Sequence, residues 1–256
     1  MGKHRILILA GTTEARQLAT ALAERTDYDS LLSLAGRTAE PMAQPVPVRS
    51  GGFGGSDGLA DFLTTEKFDL LIDATHPFAA RISHNAAIAA GRTGIPLFAL
   101  RRAEWKQEPG DRWTSVRSVP EAALALGTAP NRVFLAIGRQ EAFHFESAPQ
   151  HSYLIRSVDP VTPRLDIPHA LYILATGPFE EAAERQLLIE NRIEVIVAKN
   201  SGGTATHGKI AAARALGIPV IMVERQQPAD VRTVETVKDA LGLVDHLFSP
   251  EMKRGV

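Results

Sequence analysis

The sequence predicts an α/β protein of two lobes, each on a mainly parallel sheet, with a ligand cleft between them. Short apolar runs alternate with amphipathic helical stretches along the chain, the pattern of strand–helix–strand units. Glycine-bearing turns follow many of those runs. The second half also repeats the first. Gly11-Thr-Thr-Glu-Ala15 has a counterpart in Gly138-Arg-Gln-Glu-Ala142. His84, ten residues before Gly94-Ile-Pro96, matches His207, ten before Gly217-Ile-Pro219. Val116-Arg-Ser-Val119 similarly resembles Val231-Arg-Thr-Val234. Such internal similarity reads as an ancient duplication.

In chain order, residues 5–10 read as a buried strand, followed by a helix over 14–25 with Ala15, Leu18, Ala19 and Leu22 on one face. Residues 30–35 form the second strand. Residues 50–58 hold five glycines and form a loop, either a lid or a backbone approach to ligand. A helix at 59–65 and a strand at 69–74 follow, broken at His76-Pro77. A helix at 79–92 and a strand at 96–100 complete the first half. The second half reads as strands at 132–137, 153–158, 171–175, 194–198 and 219–223. Its helices are one after Gly138, then 180–191 and 209–216. The polar stretch 102–113 marks the boundary. It gives a first lobe at 1–101 and a second lobe at 102–256, whose last helix, 234–248, packs on either lobe.

Composition narrows the function. The 256 residues carry 28 Lys+Arg against 29 Asp+Glu, a net charge of −1, which argues against non-specific nucleic-acid binding. No cysteine is present, which excludes thiolate catalysis, disulfides and cysteine-based metal sites. The apolar runs are strand-length, too short to span a membrane, and the N-terminus does not read as a signal peptide. The histidines form no metal set, so no metal is expected. No Tyr stands four residues before a Lys, and no nucleophile elbow appears.

Four stretches carry chemistry. Ala10-Gly11-Thr12-Thr13-Glu14 opens the first helix, where amides and the helix dipole favour an anion. Arg37 and Thr38, after Gly36, end the second strand, where dinucleotide folds read the adenosine ribose; an arginine there favours NADP over NAD. Asp73-Ala-Thr75-His76-Pro77 ends a strand, placing His76 in the cleft as a proton donor or a hydrogen-bond donor. Lys199-Asn200-Ser201-Gly202-Gly203, with Gly208-Lys209 beyond, offers amides, hydroxyls and two lysines to carboxylates or phosphates. It fails as a nucleotide-triphosphate loop, because Ile210 stands where the magnesium-binding hydroxyl belongs. Arg156 ends a strand and is expected to face the cleft. Thr176-Gly177-Pro178-Phe179 opens another helix at a strand end.

Together, Gly11-Thr-Thr-Glu-Ala-Arg16, Ala35-Gly-Arg37, Asp73-Ala-Thr-His-Pro-Phe-Ala79, Thr176-Gly-Pro-Phe179, Lys199-Asn-Ser-Gly-Gly203 and Gly217-Ile-Pro-Val220 resemble the precorrin-6A reductase family of cobalamin biosynthesis, across roughly residues 4–240. The resemblance implies two Rossmann-like lobes and NADPH-dependent reduction of one double bond in a tetrapyrrole macrocycle, giving precorrin-6B. The hydride comes from the nicotinamide and the proton from solvent or a side chain. The sequence departs from the family at Ala10, where a glycine is common, and at Asn200, where some members carry Asp.

The expected cofactor contacts are Gly11, Thr12, Thr13, Glu14, Arg37, Thr38, Thr75 and His76. His76 and Lys199 are the candidate catalytic residues. Arg156, Thr176, Gly177, Lys199, Asn200, Ser201, Gly202, Gly203 and Lys209 are the candidate substrate contacts. The expected partner is a small-molecule tetrapyrrole, with no nucleic acid and no membrane. A monomer or weak homo-oligomer in the cytoplasm is expected. The rival readings are a reductase of another small anionic substrate and a non-catalytic nucleotide- or tetrapyrrole-binding module.

Overall fold

A computed structural model describes residues 3–36, 43–226 and 231–249. The chain divides into two compact units, Met1–Ala103 with Gln227–Val256, and Glu104–Gln226. Unit one begins with β1 (His4–Leu9), α1 (Thr13–Ala23), β2 (Tyr28–Leu34), β3 (Val48–Ser50), α2 (Ser56–Thr65), β4 (Leu70–Asp73), α3 (Ala80–Thr93) and β5 (Leu97–Leu100). Unit two holds β6 (Trp113–Val116), α4 (Val119–Ala125), β7 (Arg132–Ala136), a 3-10 turn (Ala142–Ser147), β8 (Ser152–Ser157), β9 (Ala170–Leu174), α5 (Glu181–Glu190), β10 (Val195–Lys199), α6 (Gly208–Leu216) and β11 (Val220–Val223). The chain then returns to unit one as β12 (Thr233–Val234) and α7 (Val237–Phe248).

All described strand pairs are parallel. Unit one has the order β12-β5-β4-β1-β2-β3 and unit two the order β6-β11-β10-β7-β8-β9. Read from the other edge, each is the doubly wound 3-2-1-4-5-6 order of dinucleotide folds. The sixth strand is exchanged in sequence: β6 precedes the rest of its own sheet, and β12 comes only after unit two is complete.

Alternation explains why these apolar runs are central strands. In β1, Ile6 and Ile8 pack with Leu18 and Leu22 of α1 and Leu243 of α7. Leu7 and Leu9 point the other way, toward Leu59 and Leu63 of α2 and Ala86 and Ala89 of α3. Both faces are covered, as a parallel sheet requires. In unit two, Phe134, Ile196, Val220 and Met222 pack with Leu188 of α5 and Ile210 of α6.

Four expectations change. The single boundary after residue 101 becomes two crossings, because 231–249 rejoins unit one; α7 packs on the first sheet through Ala240, Leu243 and Val244. Val234 lies in β12, so the last helix starts at Val237 rather than at 234. The segment after Gly138 forms the 3-10 turn Ala142–Ser147 in place of an α-helix. The Val116 repeat also shifts by three residues. Val116 pairs with Val223 and Val234 with Leu100, so Val116-Arg-Ser-Val119 corresponds to Val234-Glu-Thr-Val237. The caps agree: Ser118 accepts from the Glu121 amide at 3.3 Å and Thr236 from the Asp239 amide at 3.1 Å.

Candidate functional site

The first turn of unit one is fixed by Thr12. Its hydroxyl accepts from the Ala15 amide at 3.1 Å, capping α1, and donates to the Ala74 carbonyl at 3.1 Å. One side chain therefore caps the helix and ties the end of β1 to the end of β4. Gly11 adds no side chain above this turn, and the amides of Thr13 and Glu14 open the helix, where an anion is favoured. The Glu14 carboxylate itself bonds Arg102 at 2.8 Å, so this residue offers a ligand its backbone rather than its charge.

The end of β4 is locked by Asp73, which is 2% exposed. One carboxylate oxygen accepts from the Thr75 amide at 3.2 Å and hydroxyl at 2.6 Å; the other pairs with Arg101 at 2.8 Å. Arg101 also donates to the Ser83 hydroxyl on α3 at 2.8 Å. Thr75 is thus buried and held inward. Half-buried His76 follows, with Nδ1 accepting from the Phe78 amide at 3.3 Å. That bond assigns the ring proton of the neutral imidazole to Nε2.

At the carboxyl ends of β1 and β2 lies a cavity of about 450 Å³. Leu9, Ala10, Ser33 and Ala35 line it on the sheet side, residues 51–55 form one wall, and Thr75 and Arg81 also line it. Among the described residues, no carboxylate lines it. The wall needs glycine: Gly51, Gly54 and Gly55 have φ of +109°, +80° and +116°. A side chain at Gly58 would place its Cβ 1.8 Å from the Phe53 carbonyl, so the loop rests directly on the start of α2. Arg49, next to the loop, donates to the Gly51 and Gly52 carbonyls and to the Ser33 hydroxyl. The sequence pattern singled out the loop, with its five glycines, but not Arg49, whose role depends on strand pairing. Arg37 and Thr38 lie outside the described residues.

Unit two assigns its candidates differently from the expectation. Arg156, expected to face the cleft, is buried. It makes two bonds to Glu184, at 2.5 and 2.9 Å, with Phe179 stacked 3.7 Å from its guanidinium. The Asn200 side chain is also occupied, accepting from the Trp105 amide at 2.9 Å and donating to the Trp105 carbonyl at 3.0 Å. The amide does both through separate atoms; an ionised Asp here would lack the donor. Lys209 is 4% exposed. Its ammonium donates to the Thr206 carbonyl at 2.6 Å and sits 4.8 Å from the Trp105 ring. Lys199 pairs with Glu141. Ser201 is buried with its hydroxyl 3.4 Å from that of Thr206. Gly202 and Gly203, at φ +66° and +74°, turn the chain, and the Gly203 carbonyl accepts from the Trp105 indole at 2.7 Å. Thr176 is exposed. Gly177 packs closely, since a Cβ there would meet the Ala205 carbonyl at 3.1 Å. The two predicted loops of this unit do come together, through the Phe179 amide on Ala205 at 2.9 Å.

Burial shapes the titration of several groups. It pushes the pKa of His151 and of His207 below the ordinary histidine value, Arg214 adding to the effect at His207. It also lowers that of Arg49. Among the described residues, no helix is long and apolar enough to cross a membrane, and no group of three His, Asp or Glu could hold a metal ion.

Known proteins resemble the whole chain. The family described as precorrin-6x reductase CbiJ/CobK matches residues 5–245. A protein of Sinorhizobium sp. named precorrin-6A reductase is 67% identical over 98% of this chain and 96% of its own length. One of Rhodobacter capsulatus with the same name is 47% identical, covering 98% of this chain and 99% of the relative. A solved structure described as CobK precorrin-6A reductase superposes with a TM-score of 0.92 at 46% identity, over 96% of this chain and 97% of that one.

Proposed function

Because the chain belongs to the precorrin-6x reductase family, we propose that it uses NADPH to reduce one double bond of the precorrin-6A macrocycle, giving precorrin-6B in cobalamin biosynthesis. The observation that carries the cofactor half is the cavity at the ends of β1 and β2 in a 3-2-1-4-5-6 sheet, which no carboxylate lines among the described residues. NAD sites of this topology place a carboxylate on the ribose hydroxyls; an acid-free wall with cations nearby suits an additional phosphate. Relatives 41–67% identical are named precorrin-6A reductase, whereas those named cobalt-precorrin-6A reductase are 27–31% identical, which favours the cobalt-free macrocycle as substrate.

The chain's own residues have separable tasks. Gly11 and the amides of Thr13 and Glu14, on the helix start that Thr12 caps, would hold the pyrophosphate. Arg37 and Thr38 would meet the adenosine ribose. Thr75, locked by Asp73, keeps the end of β4 in register with the turn after β1. When bound, the nicotinamide supplies the hydride; the protein mainly orients the reactants. His76, with its proton on Nε2, donates to a substrate carboxylate or delivers the proton that completes the reduction. In unit two, Lys199, Ser201, Thr176, Gly177 and the turn amides of Gly202 and Gly203 are the proposed substrate contacts. Arg156, Asn200 and Lys209 act behind them by holding the loops. This is a soluble-phase reaction on a small molecule, consistent with a cytoplasmic enzyme.

The test is anaerobic oxidation of NADPH, followed by nicotinamide absorbance, with cobalt-free and cobalt-loaded precorrin-6A in parallel and NADH as comparison. Oxidation with the cobalt-free substrate and a preference for NADPH is expected. Oxidation with cobalt-loaded substrate alone overturns the substrate assignment, and none with either overturns the reaction. In the same assay His76→Ala is expected to lower turnover by about 100-fold; unchanged turnover and substrate KM would remove His76 from the chemistry.

A further inference from the structure

Arg49 stands at a point where the two units differ. In unit one its guanidinium bonds the Ser33 hydroxyl at 2.9 Å and the carbonyls of Gly51 and Gly52 at 3.0 and 3.1 Å. Ser33, Gly51 and Gly52 all line the cavity. Phe53, another lining residue, covers the guanidinium at 3.8 Å. Every one of these partners is neutral. Three of the five N–H donors are engaged, and among the described residues no carboxylate pairs with the charge.

Unit two shows what the same place looks like when the charge is neutralised. Ser33 of β2 stands opposite Leu9 of β1. Extending the β7–β8 register by one residue sets Arg156 opposite Ala136, the corresponding position. The following helices also correspond. Leu59 is the fourth residue of α2 and Glu184 the fourth of α5; Leu63 and Leu188 are the eighth of each, and all four are buried. In unit two the carboxylate on that helix closes a bidentate pair with Arg156. In unit one the same helical position is Leu59, an apolar residue lining the cavity. A cation is kept in both units, and among the described residues its anion is supplied in only one.

We propose that Arg49 provides the guanidinium that binds the 2′-phosphate of the nucleotide and so sets the preference for NADPH over NADH. The inference rests on the nicotinamide reading above. The end of β2 is where this topology presents the adenosine ribose, and Arg49 is braced beside it by Ser33. A phosphate monoester matches the planar fork, and it completes the charge balance that Glu184 completes in unit two. The carbonyls of Gly51 and Gly52 keep the fork aimed while the glycine wall lets the ribose approach closely.

The test uses Arg49→Gln, which keeps donors for the loop but removes the charge, and Arg49→Lys, which keeps the charge. Binding of adenosine 2′,5′-bisphosphate and adenosine 5′-monophosphate is measured by calorimetry, and kcat/KM for NADPH and NADH by oxidation, with thermal melting confirming the fold. Loss of one charge-assisted phosphate contact predicts at least a roughly 10-fold fall in the bisphosphate-to-monophosphate and NADPH-to-NADH ratios for Arg49→Gln. Arg49→Lys retains part of both ratios. Equal loss of both nucleotides in Arg49→Gln makes Arg49 a brace for the loop and overturns the proposal, as does an unchanged ratio. So does a preference abolished by Arg37→Gln and untouched by Arg49→Gln. Wild-type protein that binds neither nucleotide overturns the nicotinamide reading itself, and the proposal with it.

Discussion

At the ends of the second and third strands, unit one braces Arg49 against neutral groups around a cavity, while unit two seals Arg156 against Glu184 under the ring of Phe179. The turns after β3 and β9 differ in the same sense. Gly51, Gly54 and Gly55 leave open space beside their backbone; Gly177 is in close contact with the Ala205 carbonyl. The two sheets share one strand order, paired hydroxyl caps at Ser118 and Thr236, and left-handed glycine stops at Gly94 and Gly217. Apart from the 3-10 turn that replaces a helix after β7, what separates the described parts of the lobes here is a handful of side chains at the strand ends. Among the described residues, one set keeps a cavity lined without acid, and the other sets an ion pair, an aromatic ring and a buried asparagine at its strand ends.

The largest effect that could break this comparison is at the sealed pair. Glu184→Ala leaves the Arg156 charge buried and is expected to cost about 3–5 kcal/mol in urea unfolding. A loss below about 1 kcal/mol, the value of an exposed pair, would mean that unit two is not sealed there. Next, Asn200→Asp sets a carboxylate against the Trp105 carbonyl and should cost about 1–3 kcal/mol. If stability is retained and turnover falls instead, Asn200 meets substrate rather than the main chain. In unit one, Gly54→Ala forces a side chain into a left-handed conformation and should cost about 1–2 kcal/mol. Its nucleotide affinity should fall further than its stability, and the reverse order would take the loop out of the cofactor site.

Two smaller effects sharpen the comparison. The helix caps Ser118 and Thr236 should behave alike, each losing about 1 kcal/mol on replacement by alanine. The acid response should not be alike. His151 and His207, both in unit two, have folded-state pKa values lowered by burial. Unfolding restores the ordinary value near 6.5, so the unfolded chain binds more protons below that pH. Their stabilising contribution is present above about pH 6.5 and is lost as pH falls through the lowered values. Hydrogen exchange should show protection in unit two falling more than in unit one between neutral and mildly acid pH. His151→Gln should reduce that difference.

Much of this was legible from residue order alone. The runs at β1, β4, β10 and β11 are continuously apolar because both faces are covered, and periodicity finds such strands. The short edges β3, β6 and β12 were missed. Their residues are largely half-exposed or exposed, and only pairing with a neighbour makes them strands. The anion turn at Thr12, the glycine wall and the strand end at Asp73 to His76 carry local signals. Arg156 and Arg49 do not. Each is an arginine near a strand end, and the difference between a structural cation and a ligand-binding one depends on residue 184 or 59, many positions away. A buried carboxylate partner on the following helix is visible only once register and helix start are known.

The most direct measurement of the central claim, that unit one is the nucleotide lobe, is hydrogen exchange of the whole protein with and without NADPH. The account predicts protection at residues 10–15, 33–36 and 49–56, with the greatest change in the glycine wall. Protection confined to residues 199–209, with 49–56 unchanged, would contradict it.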